Sequence, residues 1–124
     1  MIEHYFASIR IAVGAIATAH VDYYLEQARP SQVALLELRL SWPAGELLQV
    51  GDVLEPGATA PIWLRYRYHF QSNTLVLRYD NAPHHPEIVT HPHHKHIGPK
   101  DRLAPADQPS LSQVLAEIED WLGQ

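Results

Sequence analysis

The sequence predicts an α+β fold: an antiparallel sheet of four to five strands in meander order, with one face covered by N- and C-terminal helices and the other face polar. Apolar residues recur at three- and four-residue steps near both ends of the chain, and at two-residue steps between them. Turn-forming residues separate the period-two segments. With 124 residues, 46% of them apolar and 19% charged, the chain predicts a single globular domain, 1–124.

The elements follow from these periods in chain order. A first helix is predicted over 2–16 and a last helix over 110–122, with Ser110 or Ser112 as its N-cap. Strands are predicted at about 19–26, 32–42, 47–54, 62–70 and 74–80. Residues 81–109 are rich in proline and polar side chains, so they predict a long loop.

The last two predicted strands form a hairpin, since Ser72 and Asn73 fit a two-residue turn. That turn would place Arg67 opposite Arg78 on the polar face, with His69 and Arg65 beside them. Two like charges in a cross-strand pair are destabilising, so either an anion lies between them or Asp80 and Glu37 neutralise them. Trp63 is predicted on the same polar face, where it would stack a base or cover the sheet edge.

Charge and composition limit the function classes. The formal net charge is −5, which argues against broad binding to nucleic acid, so any contact with RNA requires a local positive patch. There are no cysteines, which excludes disulfides and Cys-based zinc sites. The run Ile11 to Ala19 resembles a signal-peptide core, but Glu3 stands where such peptides are positive. We expect a cytoplasmic protein with no membrane partner.

The segment from Arg78 to Lys100 holds most of the chemistry. Six of the nine histidines lie between His84 and His96, interleaved with prolines. The segments RYDNAPHH, from Arg78 to His85, and HPHHKH, from His91 to His96, resemble the signature of the TumE-like toxins of type II toxin–antitoxin systems. The resemblance implies a toxin role and a small DNA-binding antitoxin encoded nearby, of helix-turn-helix type.

The preferred mechanism is cleavage of RNA by histidine acid–base chemistry on an arginine-lined sheet face, because imidazole titrates near neutral pH and arginine stabilises phosphate charge. Inside the matching motifs the candidate catalytic residues are Arg78, Asp80, His84, His91, His93 and His96. The candidate substrate-binding residues are Arg65, Arg67, His69 and Lys95. Tyr79, by its alternation, is expected to point into the core.

Two alternatives remain open at this point. His91, His93 and His96 are also candidate ligands for Zn²⁺ or another divalent metal in a hydrolytic site, in place of a metal-free one. The spacings His91-x-His93 and His94-x-His96 indicate this, since each puts two imidazoles on one side of an extended chain. In the second alternative the chain is a non-enzymatic module, and its histidines shape a protein- or nucleic-acid-binding surface. RNA and a second copy of the chain, in a homodimer, are further candidate partners.

Overall fold

A computed structural model describes residues 2–29 and 32–124 and places seven antiparallel strands in one sheet, in the same order as in the chain. The strands are β1 (His20–Gln27), β2 (Ala34–Ser41), β3 (Leu47–Glu55), β4 (Ile62–Gln71), β5 (Leu75–Asp80), β6 (His94–Ile97) and β7 (Arg102–Pro105). Helix α1 (Ile2–Gly14) precedes them and α2 (Leu111–Leu122) follows. The α+β class, the meander order and the terminal helices are confirmed, while the predicted number of strands is too low.

Both helices pack on the same face of the sheet. Alternate residues of the central strands are buried there, as in β2, where Leu36 is fully buried and Glu37 is exposed. Phe6 and Ile9 of α1 and Val114 and Ile118 of α2 join this core. The polar residues that alternate with these buried ones therefore lie on the opposite face of the sheet, called the open face below.

Helix α2 begins at a capping box. The side chain of Ser110 accepts a hydrogen bond from the backbone N–H of Gln113, and the side chain of Gln113 accepts one from the backbone N–H of Ser110. The reciprocal pair satisfies two of the N–H groups that a helix start leaves without partners. Of the two serines considered for the N-cap, Ser110 is the one that caps.

The predicted loop 81–109 contains two strands, β6 and β7. β6 pairs with β5, and β7 pairs with β6, so the sheet continues past Asp80. The short sequence His94–Ile97 carries no apolar alternation, and its two imidazoles face the polar side of the sheet. Its strand character therefore comes from pairing with β5 and not from local propensity.

The hairpin register of β4 and β5 also differs from the prediction. Arg67 pairs with Asp80 and His69 pairs with Arg78, so Arg67 and Arg78 are not direct partners. The connection holds three residues, 72–74, and a bulge at Val76 adds one more residue to β5. These two additions shift the pairing by two residues, which keeps every side chain on its expected face but changes its cross-strand neighbour.

Bulges also decide which face of the sheet some side chains occupy. A register shift at Leu64 turns Trp63 towards the helices, where its ring meets Tyr5 edge-on with a centroid separation of 4.8 Å. Trp63 is therefore not on the open face and is not a base-stacking residue there. A similar shift at Asp22 places Tyr24 opposite the buried Leu38 and leaves Tyr23 exposed.

Neither helix in the described ranges combines the length and the apolar character that crossing a membrane requires.

Candidate histidine site on the open face

Strands β5 and β6 bring four polar side chains together on the open face. Arg78 pairs with His96 and Asp80 pairs with His94. Successive residues of a strand point to opposite faces, so the i, i+2 spacing within each strand puts all four side chains on one side. His94 and His96, which come well after the RYDN segment in the sequence, thus become its direct neighbours across the strand pair.

Asp80 is the carboxylate at the centre of this group. It is 7% exposed, and its Oδ1 lies 2.9 Å from His94 Nε2, while its Oδ2 lies 3.7 Å from His96 Nε2. His94 is 2% exposed and its Nδ1 donates to the carbonyl of Pro92 at 2.9 Å. A polar ring buried this deeply is stable only with partners on its nitrogens, and both nitrogens of His94 have one.

His96 is oriented from the other side by the β6–β7 turn. Its Nδ1 lies 2.6 Å from Oδ1 of Asp101. Asp101 has a positive φ of 52°, a conformation that aspartate and asparagine adopt more readily than most residues, and it follows Gly98, which has a φ of 71°. The turn therefore holds a carboxylate against Nδ1 and leaves Nε2 of His96 directed towards Asp80.

A third imidazole, that of His85, comes from the segment between β5 and β6. Its ring lies edge-on to His94, with centroids 5.1 Å apart, and to His96, with centroids 6.0 Å apart. Its side chain is 33% exposed, which makes it more accessible than His94. The three rings, here called the histidine cluster (His85, His94 and His96), surround one side of Asp80.

Arg78 is fixed by a second, separate histidine. Its Nε donates to Nδ1 of His69 at 3.0 Å, and Nε2 of His69 donates to the side-chain oxygen of Gln71 at 2.9 Å. Burial lowers the pKa of His69, and the positive charges of Arg78 and Arg67 act in the same direction. The neutral ring accepts from Arg78, so His69 positions the guanidinium and is not itself placed to transfer protons.

A shallow concavity lies on the open face of strands β1 to β4 and reaches towards Asp80 at Arg67. Its volume is about 570 Å³, and Glu37, Arg39, Gln49 and Arg67 contribute to its walls. Gly51 lies on its floor, with no atom within 4 Å of the position a Cβ would take. The groove thus has two exposed arginines, of which Arg67 is the cross-strand partner of Asp80 and Arg39 lies three strands away from it on β2.

The structure brings together only part of the predicted site. Arg78, Asp80 and His96 meet, and Arg67 and His69 lie beside them. Arg65 is on the same face of β4, two residues before Arg67 and outside the groove. These are placements, and the roles assigned to the residues remain predictions.

Four predicted site residues lie elsewhere. His84 and His91 are exposed and outside the cluster. His93 stacks on Tyr66 with a centroid separation of 5.7 Å, and its Nδ1 forms a hydrogen bond with the hydroxyl group of Tyr66. Lys95 pairs with Tyr79 on the helix side of the sheet and forms an ion pair with Glu117 of α2. Lys95 is therefore not on the arginine-lined face.

Two residues of the site, His85 and Asp101, were not predicted, and His94 was considered only as half of a spacing pair and not as a named site residue. The spacing His94-x-His96 was a usable signal, since a strand would direct both rings to one face. No local pattern identifies Asp101, whose carboxylate reaches His96 only because Gly98 to Asp101 turns the chain back. Tyr79 points to the helix side of the sheet, as expected, where it is half-buried against the core and donates to Glu117 at 2.6 Å.

The fold and the cluster together define a class: an α+β protein whose open antiparallel sheet carries imidazole, carboxylate and guanidinium groups within reach of one another. A sequence profile described as Toxin TumE matches residues 12–122 of this chain. The chain belongs to the TumE toxin family, and this membership supports a toxin role and implies a cognate antitoxin. No curated protein and no solved structure matches the chain.

Proposed function

We propose that this protein is the toxin of a type II toxin–antitoxin pair and that it cleaves RNA at the histidine cluster. One observation carries the proposal: His96, held by Asp101 through Nδ1, stands directly opposite Arg78 and beside Asp80. A carboxylate on one ring nitrogen leaves the other nitrogen as a proton acceptor of fixed orientation, which is the arrangement of a general base.

The chemistry needs a base, an acid and a cation around one phosphate. His96 takes the proton of the 2′-hydroxyl, whose oxygen then attacks phosphorus. His85, the more exposed ring of the cluster, donates a proton to the leaving 5′-oxygen. Arg78 stabilises the charge that develops on the phosphorane oxygens. The products are a 2′,3′-cyclic phosphate and a 5′-hydroxyl, so the reaction requires ribose and no metal.

His94 and Asp80 have a supporting part in this scheme. His94 is too deeply buried to touch a substrate, and its hydrogen bond to Asp80 fixes the carboxylate next to His96. The groove beside the cluster guides the RNA backbone, with Arg39 and Arg67 as its phosphate contacts. The groove also contains the carboxylates of Asp22 and Glu37, so in this proposal the two arginines act as individual phosphate contacts and not as a broad positive surface, in keeping with the net charge of −5.

The partner we propose is a small DNA-binding antitoxin encoded nearby, and the place of action is the cytoplasm. An antitoxin that covers the open face would block access to the groove and to the cluster together. The family membership supports the pairing, and the exposed groove supports this location for the contact.

The test is cleavage of a labelled single-stranded RNA by the purified protein in the presence of EDTA. We expect fragments with cyclic phosphate and 5′-hydroxyl ends, no cleavage of the same sequence as DNA, and a rate about 10²- to 10⁴-fold lower for His96→Ala. His4→Ala is the matched control, because His4 is exposed on α1. Intact RNA with the wild-type protein, or equal rates for His96→Ala and wild type, contradicts the proposal.

A further inference from the structure

We propose that the histidine cluster (His85, His94 and His96), together with Asp80, is a binding site for one divalent transition-metal ion of the Zn²⁺ class. The three imidazoles each offer one nitrogen, and these three nitrogens lie within 4.8 Å of one another. Three histidines with a carboxylate or a water as fourth ligand form a common protein environment for Zn²⁺.

The hydrogen bonds of two of the rings are already those of metal ligands. A ligating histidine usually donates its second N–H to a carboxylate or a backbone carbonyl, which fixes the ring for the metal. His94 donates from Nδ1 to the carbonyl of Pro92 at 2.9 Å, and His96 Nδ1 lies 2.6 Å from Asp101. Each ring therefore directs Nε2 towards Asp80, at 2.9 and 3.7 Å, and an entering ion displaces the proton that His94 Nε2 donates to this carboxylate.

The distances indicate how the site would close. Zn–N bonds of about 2.0–2.1 Å in tetrahedral geometry put ligand nitrogens about 3.4 Å apart, so the cluster must contract. His94 and His96 are held in the β-ladder, with ring centroids 4.9 Å apart. His85 lies outside the strands, so the movement falls mainly on its side chain. Asp80, already beside both Nε2 atoms, is placed to become the fourth ligand.

The donor set selects the kind of ion. Imidazole nitrogens suit Zn²⁺, Ni²⁺, Cu²⁺ and Co²⁺, whereas Mg²⁺ and Ca²⁺ prefer sites made of oxygen ligands. This set differs from the one that the sequence predicted, since His91 is exposed and His93 stacks on Tyr66. Only His96 is common to both sets.

A bound ion would also regulate RNA cleavage, and this consequence rests on the proposed function. The ion takes the Nε2 lone pair of His96, which is the proton acceptor in the acid–base scheme. It also takes up His85, the proton donor. The metal-bound protein is therefore expected to be an inactive form, and removal of the ion restores cleavage.

The experiment uses untagged full-length protein stripped of metal with EDTA and titrated with ZnCl₂ by calorimetry, with Co²⁺ absorption as a second reading of the coordination. We expect one ion per chain for wild type and for His91→Ala. His85→Ala loses at least about tenfold in affinity, and Asp101→Asn loses roughly 10- to 100-fold. Asparagine tolerates the positive φ of position 101, so Asp101→Asn removes the carboxylate and leaves the turn in place.

The outcomes separate the two proposals. Equal Zn²⁺ affinity of His85→Ala and wild type, with both folded by circular dichroism, overturns the metal site, and so does a dissociation constant weaker than about 1 mM for wild type. Either result leaves the proposal of metal-free RNA cleavage standing, because that cleavage is tested separately in EDTA. Stoichiometric binding with full cleavage activity overturns the regulatory role. Cleavage that rises on addition of Zn²⁺ overturns the metal-free acid–base mechanism and leaves the site itself standing.

Discussion

The buried carboxyl of Asp52 makes the stability of the fold depend on pH. Asp52 is 2% exposed on the helix side of β3, where the hydroxyl of Tyr5 donates a hydrogen bond to its Oδ2. Its Oδ1 is buried without a hydrogen-bond partner among the described residues. Burial raises the pKa of Asp52 from 3.8 to about 7, and the bond from Tyr5 opposes this only in part.

The sign and size of the effect follow from linkage. The folded state holds the proton more tightly than the unfolded state, so stability falls as the pH rises from about 4 to about 7 and is level above that. The shift corresponds to about 4 kcal/mol in total, at about 1.4 kcal/mol for each pKa unit. Between about pH 5 and pH 8 the loss is about 3 kcal/mol.

Asp52→Asn removes this ionisation while preserving the shape of the side chain. We expect the free energy of unfolding of Asp52→Asn, measured by urea denaturation, to rise relative to wild type by about 3 kcal/mol between about pH 5 and pH 8. Asp120→Asn, on the exposed side of α2, is the control and should track wild type. A difference between Asp52→Asn and wild type that stays flat with pH would refute the reasoning.

Three further predictions concern stability and use the same assay. Burial lowers the pKa of His69, so wild type loses stability as the pH falls below about 6.5, and His69→Gln should lessen that loss; equal slopes for the two proteins would contradict it. Ser110→Ala should cost about 1 kcal/mol through loss of the capping box, whereas the exposed Ser112→Ala should stay within about 0.5 kcal/mol; equal effects would remove Ser110 as the cap. Leu36→Ala should cost about 2–5 kcal/mol, because Leu36 is fully buried in the core, and a smaller loss would contradict that packing.

The sheet was predictable where its side chains alternate between core and solvent. In β2 and in most of β4 the apolar alternation coincides with burial, so both the strands and their faces follow from the period. β6 carries no such alternation, because its inward and outward positions are filled by Lys95 and by two histidines. β6 is identified as a strand only by its pairing with β5 in the structure.

Single-residue bulges account for the wrongly predicted face of Trp63 and contribute to the wrongly predicted partner of Arg67. One extra residue, such as Leu64 in β4, moves the side chains that precede it to the opposite faces of the sheet, so Trp63 lies against Tyr5. The extra residue at Val76, with a turn one residue longer than expected, moved Arg67 from Arg78 to Asp80. Such insertions have no apolar signature of their own, so period analysis cannot locate them.

The candidate site was predictable as a segment but not residue by residue. The motifs identified Arg78, Asp80 and His96, which do meet. His85 and Asp101 join them through the fold of the segments on either side of β6, and nothing in the spacing of the sequence selects them over His84 or His91. The composition of the segment showed where the candidate site lies, and the pairing of β5 with β6 determined which side chains form it.

Growth and total RNA integrity on induced expression without the antitoxin test the central claim most directly. Wild type and His4→Ala are predicted to arrest growth and degrade RNA, and His96→Ala, at equal soluble protein, to do neither. Arrest by His96→Ala to the same extent as by wild type would contradict the assignment of the open-face histidine cluster as the toxin's site.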